Sequence, residues 1–184
     1  MSGHPAMVGR RDGNAVARHL GVLEASPHMT QEVVAKECVF CAIVARRAEA
    51  SLVFEDEAVA VWMDLNPVTH GHLLVVPRRH AVGLEDLDEA TSAHVWSVGH
   101  DMARALRRSS LGCRGINLVV CDGEAAFQTV FHFHLHVIPR YPGDGVGAPF
   151  EVETHEREKS LRDSDAQTIK AAIASTNGDV APMS

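Results

Sequence analysis

Apolar and polar positions follow no clear period over the first residues of the chain and become ordered from Cys38 onward. Leu52 to Glu55 and Ala58 to Met63 are short apolar segments split by the acidic pair Asp56-Glu57, a pattern that predicts a hairpin. Leu73-Leu74-Val75-Val76-Pro77 is a continuous apolar run, as expected of a strand buried on both faces and stopped by proline. Leu84, Leu87, Val95, Val98, Met102 and Leu106 then recur at spacings near three, four and seven or eight, ending before Gly112. That period predicts an amphipathic helix of roughly twenty residues. Ile116 to Val120 and Val130 to Ile138 read as two more strands, and Leu161 to Ala174 as a last helix. Strands grouped around one long helix, not alternating with helices, predict an α+β fold with an antiparallel sheet of about five strands.

Residues 1–36 carry scattered Gly, Arg, Ser and His with only a weak helical stretch from Ala15 to Leu23, and read as a flexible N-terminal extension. The organised domain is expected over 37–142, followed by a C-terminal segment, 143–184, that contains the last helix. At 184 residues the chain can bury a substantial core. Its 46% hydrophobic and 22% charged content are those of a soluble globular protein. A net charge of -7 argues against a nucleic-acid surface, which needs a basic stripe, yet leaves room for a locally positive pocket and a small anionic ligand. No apolar run approaches the ~18 residues of a membrane span, and no export signal is evident. The four cysteines include one Cys38-x-x-Cys41 pair. This usage predicts a reducing cytoplasm and metal or thiol chemistry instead of a disulfide framework.

The chemistry concentrates in His132-Phe133-His134-Leu135-His136-Val137-Ile138-Pro139, with three histidines at alternating positions. On a strand, alternation sends the three imidazoles to one face and Phe133, Leu135 and Val137 to the other. Histidine is the side chain whose ordinary pKa suits proton exchange near neutrality. Same-face neighbours on a strand lie ~7 Å apart and the outer two ~13 Å. The three rings therefore cannot share one zinc and must divide their roles, with the middle ring the natural nucleophile or base.

This segment, with Gln128-Thr129-Val130-Phe131 before it and Arg140-Tyr141 after it, resembles the signature of the histidine-triad nucleotide hydrolases and transferases. Cys38-Val-Phe-Cys41, Asp64-Leu-Asn66-Pro-Val-Thr-His70-Gly-His72 and Arg79-His80 extend the resemblance to the bacterial, zinc-bearing branch over residues 38–142. The resemblance implies that His134 attacks the α-phosphorus of a nucleotide or nucleotide conjugate, that His136 assists the leaving group, and that His132 completes the catalytic set. It implies Gln128 and Thr129 at the phosphate, Asp64 at the ribose hydroxyls, and His72 near the triad. Phe40 and Trp62 would line the base pocket with Val39 and Ile43, and Leu65 would lie beside the sugar. A structural zinc would be held by Cys38, Cys41, His80 and His132, and the protein would be a homodimer. Two positions depart from the family pattern: Cys121, where many members carry asparagine, and Phe127, where many carry glycine. Two other readings remain: a catalytic zinc hydrolase built on His132 and His134, and a nucleotide-binding module with little turnover.

Overall fold

In a computed structural model, the described residues are 38–147 and 153–175. The N-terminal stretch, with the helix expected over Ala15 to Leu23, lies outside them. The elements run α1 (Val39–Val44), β1 (Leu52–Glu55), β2 (Val59–Met63), β3 (Leu73–Pro77), α2 (Glu89–Arg108), β4 (Gly115–Val120), β5 (Leu135–Arg140) and α3 (Lys159–Ala174). One five-stranded sheet is ordered β1-β2-β3-β5-β4, with every neighbouring pair antiparallel. The α+β class and the antiparallel sheet are those the hydrophobic pattern predicts.

Each element has a local cause. The β1–β2 turn closes on Asp56, whose Oδ1 accepts from the backbone N–H groups of both Ala58 and Val59. β2 and β3 are buried at every position, because the sheet is covered on both faces. α2 and α3 pack on one face around Val61, Met63, Val75, Met102, Leu106 and Leu135. α1 supplies Phe40 and Ile43 to the other face, against Trp62, Leu74 and Val76. The continuous apolar runs of β2 and β3 are the sequence trace of this double burial.

Two boundaries differ from the expected ones. The long helix begins at Glu89, not near Leu84, because Asp88 caps it by accepting from Thr91 N–H. Leu84–Asp86 forms a separate single 3-10 turn. The last strand begins at Leu135, not Val130. Upstream of it, the backbone bonds leave the ladder: Phe133 N–H donates to Ala81 O, and His132 N–H to Val130 O. His132 therefore lies in a bend and His134 on the irregular lead-in, with His136 on the strand itself. Pro139 is accommodated because β3 pairs with β5 only as far as Val137. Among the described residues, no helix is long and apolar enough to cross a membrane.

Candidate functional site

The histidine segment separates two clusters, and hydrogen bonds fix what each ring can do. His132 is fully buried. Its Nε2 lies 2.8 Å from Pro77 O; a carbonyl can only accept, so Nε2 carries the proton and Nδ1 the lone pair. That Nδ1 is 3.4 Å from Cys38 Sγ and 3.5 Å from Cys41 Sγ, and His80 Nδ1 is 3.3 Å from Cys41 Sγ. The four donor atoms lie within 4.8 Å of one another. A tetrahedral zinc with ordinary Zn–S and Zn–N bonds sets sulfur–nitrogen edges of about 3.5 Å. The donor set and its spacing therefore fit zinc. Burial, then the neighbouring Cys38, pushes the Cys41 thiol up to about 11, and burial pulls His132 down to about 4.

On the other side, His134 Nδ1 lies 2.7 Å from His132 O. The same logic puts the proton on Nδ1 and leaves Nε2 as the lone pair of a ring that lines the adjoining cleft. Burial lowers the pKa of His134, so the neutral ring is favoured. Behind it, Val68 N–H donates to His72 Nδ1, and His72 Nε2 lies 3.0 Å from His136 Nδ1. The proton of that second bond sits on His72, which makes His136 Nδ1 the acceptor and His136 Nε2 the proton carrier. Burial, with further lowering from neighbouring histidines, holds His72 and His136 down to about 3 each. The His134 and His136 ring centroids are 4.7 Å apart. A lone pair and an N–H on adjacent rings make a nucleophile and proton-donor pair.

The cleft has a volume of about 550 Å³. Of the expected site residues, Phe40, Trp62, Asp64, Leu65, Thr129, His134 and His136 border it, as do Val39 and Ile43. Phe40 packs edge-on to both Trp62, at 5.3 Å, and His134, at 5.2 Å, joining the apolar wall to the reactive ring. Asp64 places Oδ2 3.5 Å from His72 Nδ1 and accepts from Asn66 N–H through Oδ1. His72 is buried behind His136.

Gln128 is placed otherwise. It is buried outside the cleft; its Oε1 accepts from Gly123 N–H and its Nε2 donates to Val82 O and Val130 O. Its amide fastens the loop that carries Thr129. Phe127 occupies the left-handed region at φ 68°, the conformation glycine adopts most easily. Cys121 is half-buried and does not border the cleft. Asp64, His72 and His136 also form a group able to hold a metal, but the His72–His136 hydrogen bond already accounts for their approach. His134 belongs to neither metal-capable group among the described residues.

Sequence reasoning missed one side of the cleft: Glu49 before β1, and Thr154 and Arg162 from the C-terminal segment. Arg162 had a legible signal. It falls on the buried stripe of α3 with Asp165, Ala166, Ile169 and Ala172, and an arginine on such a stripe needs a partner.

A five-stranded antiparallel sheet with a histidine pair at a cleft and a Cys₂His₂ cluster behind it defines a histidine-triad protein. The HIT domain model matches residues 45–143, and the chain belongs to that family. It is 36% identical to Protein hit of Bacillus subtilis over 141 residues, 76% of this chain and 94% of that protein. It is 33% identical to Adenylylsulfatase HINT3 of Arabidopsis thaliana over 65% of this chain and 60% of that one. A Zn-bound histidine triad family protein from Mycobacterium smegmatis superposes with a TM-score of 0.70 at 41% identity, covering 78% of this chain and 98% of the other.

Proposed function

We propose that the protein is a nucleotide hydrolase or transferase that cleaves at an α-phosphorus through a covalent nucleotidyl-His134. The observation that carries this reading is the tautomer of His134: its Nδ1–H is committed to His132 O, so its Nε2 lone pair belongs to the cleft. Nε2 attacks phosphorus, forming the N–P bond while the bond from phosphorus to the leaving group breaks. His136 Nε2–H donates a hydrogen bond to the departing atom and stabilises the charge that develops there. Water or another acceptor then attacks phosphorus and releases its proton to the surrounding water, and His134 leaves with its lone pair restored. The Thr129 hydroxyl donates to a phosphate oxygen, and Asp64 accepts from the ribose hydroxyls. The substrate class is a dinucleoside polyphosphate or nucleoside phosphoramidate. A relative named as an adenylylsulfatase supports chemistry at a nucleotide's α-phosphate.

We infer zinc as the resident ion in the cluster of Cys38, Cys41, His80 and His132, supported by the Zn-bound relative and by the donor spacing. Bound there, it would clamp α1, the segment after β3 and the lead-in to β5 together, a structural task. Two further expectations belong to this reading. The outer edge of β4, which no strand among the described residues covers, and exposed Leu118 support a homodimer, which a sedimentation mass will test. Four free thiols support a reducing cytoplasm.

The test of the catalytic reading is a rapid-quench intact-mass measurement with a dinucleoside polyphosphate. An adduct of one nucleotidyl mass should appear on the wild type and be absent from His134→Ala. Turnover by the wild type without any adduct, or full activity in the variant, would reject the mechanism. Tight nucleotide binding with no turnover would favour a binding module.

A further inference from the structure

Arg162 is only 8% exposed, yet it is one of the residues that line the cleft. Its Nε donates to Arg157 O at 2.9 Å, and Arg157 N–H in turn donates to Leu65 O, which ties the start of α3 to the sugar side of the site. Arg162 has no carboxylate oxygen within 4.0 Å among the described residues; Asp165, one turn along the same face, is taken by Arg157. A permanent charge buried this far requires acceptors, and among the described residues the hydrogen bond recorded for its side chain is that of Nε. Neighbouring contacts set its position: Ser51 Oγ donates to Asp163 at 2.6 Å, which places the start of α3 beside the β1 entrance and Met63. Those contacts put Arg162 on the β1–β2 side of the cleft, which Trp62 and Glu49 also line, with β3 lying between it and His136 on β5.

Resting on the nucleotide reading above, we propose that Arg162 and Glu49 read the edge of the base and select a guanine nucleotide over an adenine one. Guanine presents O6 and N7 side by side, the acceptor pair that a guanidinium fork engages bidentately. Adenine offers N7 beside an amino donor, so one arginine N–H would face another donor. Glu49, acceptor only when ionised, complements the N1–H and 2-amino donors of guanine and meets a bare ring nitrogen in adenine. Discrimination follows because a polar group built to be paired is left unpaired by the wrong base.

Titration calorimetry of the full-length zinc-loaded protein with GMP and with AMP tests this. GMP should bind about tenfold more tightly than AMP, the discrimination expected of one bidentate contact. Arg162→Met should collapse that ratio to within about twofold by weakening GMP alone. Glu49→Gln alters an exposed side chain, so it should fold normally and lower the ratio by itself. If Arg162→Met melts far below the wild type, the Glu49→Gln ratio decides, and an unchanged ratio overturns the proposal. Equal wild-type affinities, a preference for AMP, or equal weakening of both ligands by Arg162→Met would each overturn it while leaving the nucleotide reading intact. Binding of neither nucleotide would reject both.

Discussion

His132 and His134 are two residues apart, carry the same side chain and are both buried, yet the protein turns them to opposite uses. His132 spends Nε2–H on Pro77 O and turns Nδ1 to two thiols. His134 spends Nδ1–H on His132 O and keeps Nε2 for the cleft. The ring nitrogen that is already bonded decides which one does chemistry. One peptide joins the two uses: the side chain of His132 belongs to the metal cluster, and its carbonyl sets the tautomer of the proposed nucleophile.

The comparison breaks most sharply under paired substitution. His134→Ala should lower kcat by at least about 10³-fold, the scale of losing a nucleophile, and should leave the melting temperature within a few degrees. His132→Ala should do the reverse in kind, costing several degrees of melting temperature and the bound zinc, measured by scanning calorimetry and metal analysis. A His132→Ala protein that melts normally and retains zinc would remove the cluster from the scheme.

Chelation sharpens the same contrast without changing a residue. Stripping zinc should lower the melting temperature markedly, because metal binding free energy is folding free energy. Activity measured well below the new melting point should fall less steeply than stability. Immediate and complete loss of turnover in a still-folded protein would instead assign the metal to the reaction.

His72 should come next in size. It does not line the cleft itself; it positions His136 through the 3.0 Å bond and holds its proton on Nε2. His72→Ala should lower kcat by about 10- to 100-fold with KM little changed, and should alter the pH profile of kcat. An equal loss through KM, with an unaltered profile, would reduce His72 to a packing role.

Much of this was legible from the chain, and the reasons differ by region. The alternation singled out His132, His134 and His136, whereas Cys38, Cys41, His80 and His132 were joined only by the resemblance to histidine-triad proteins; the structure brings the donor atoms of those four within 4.8 Å of one another. The sheet was legible because β2 and β3 are buried on both faces and show it as unbroken apolar runs. The start of β5 was not: alternation persists through His132 and Phe133, while the backbone there bonds to Ala81 and Val130 instead of a neighbouring strand. α1 was too short to show a period. Gln128 illustrates a different limit, since sequence reveals an amide beside the triad but not that the loop's own backbone occupies both of its ends. Glu49 and Arg162 come to line one cleft only through the docking of α3, which no local pattern encodes.

The smallest effects probe how the two regions are held in register. Gly99 on α2 faces Leu135, the first residue of β5, and a Cβ added at Gly99 would overlap Leu135 Cδ2. Leu135 is fully buried and pairs with Val75 and Val120, so it has no open space to enter. Overpacking of this kind costs about 1–3 kcal/mol, and the strain falls between His134 and His136. Gly99→Ala should therefore lower stability by that amount in a denaturant titration and disturb the 4.7 Å spacing of the two rings. The cluster of Cys38, Cys41, His80 and His132, anchored through Pro77 and α1, should be spared, so the zinc inferred there should stay at wild-type level while kcat falls modestly. Equal loss of zinc and activity would mean that the clusters respond as one unit, and the division drawn between His132 and His134 would fail.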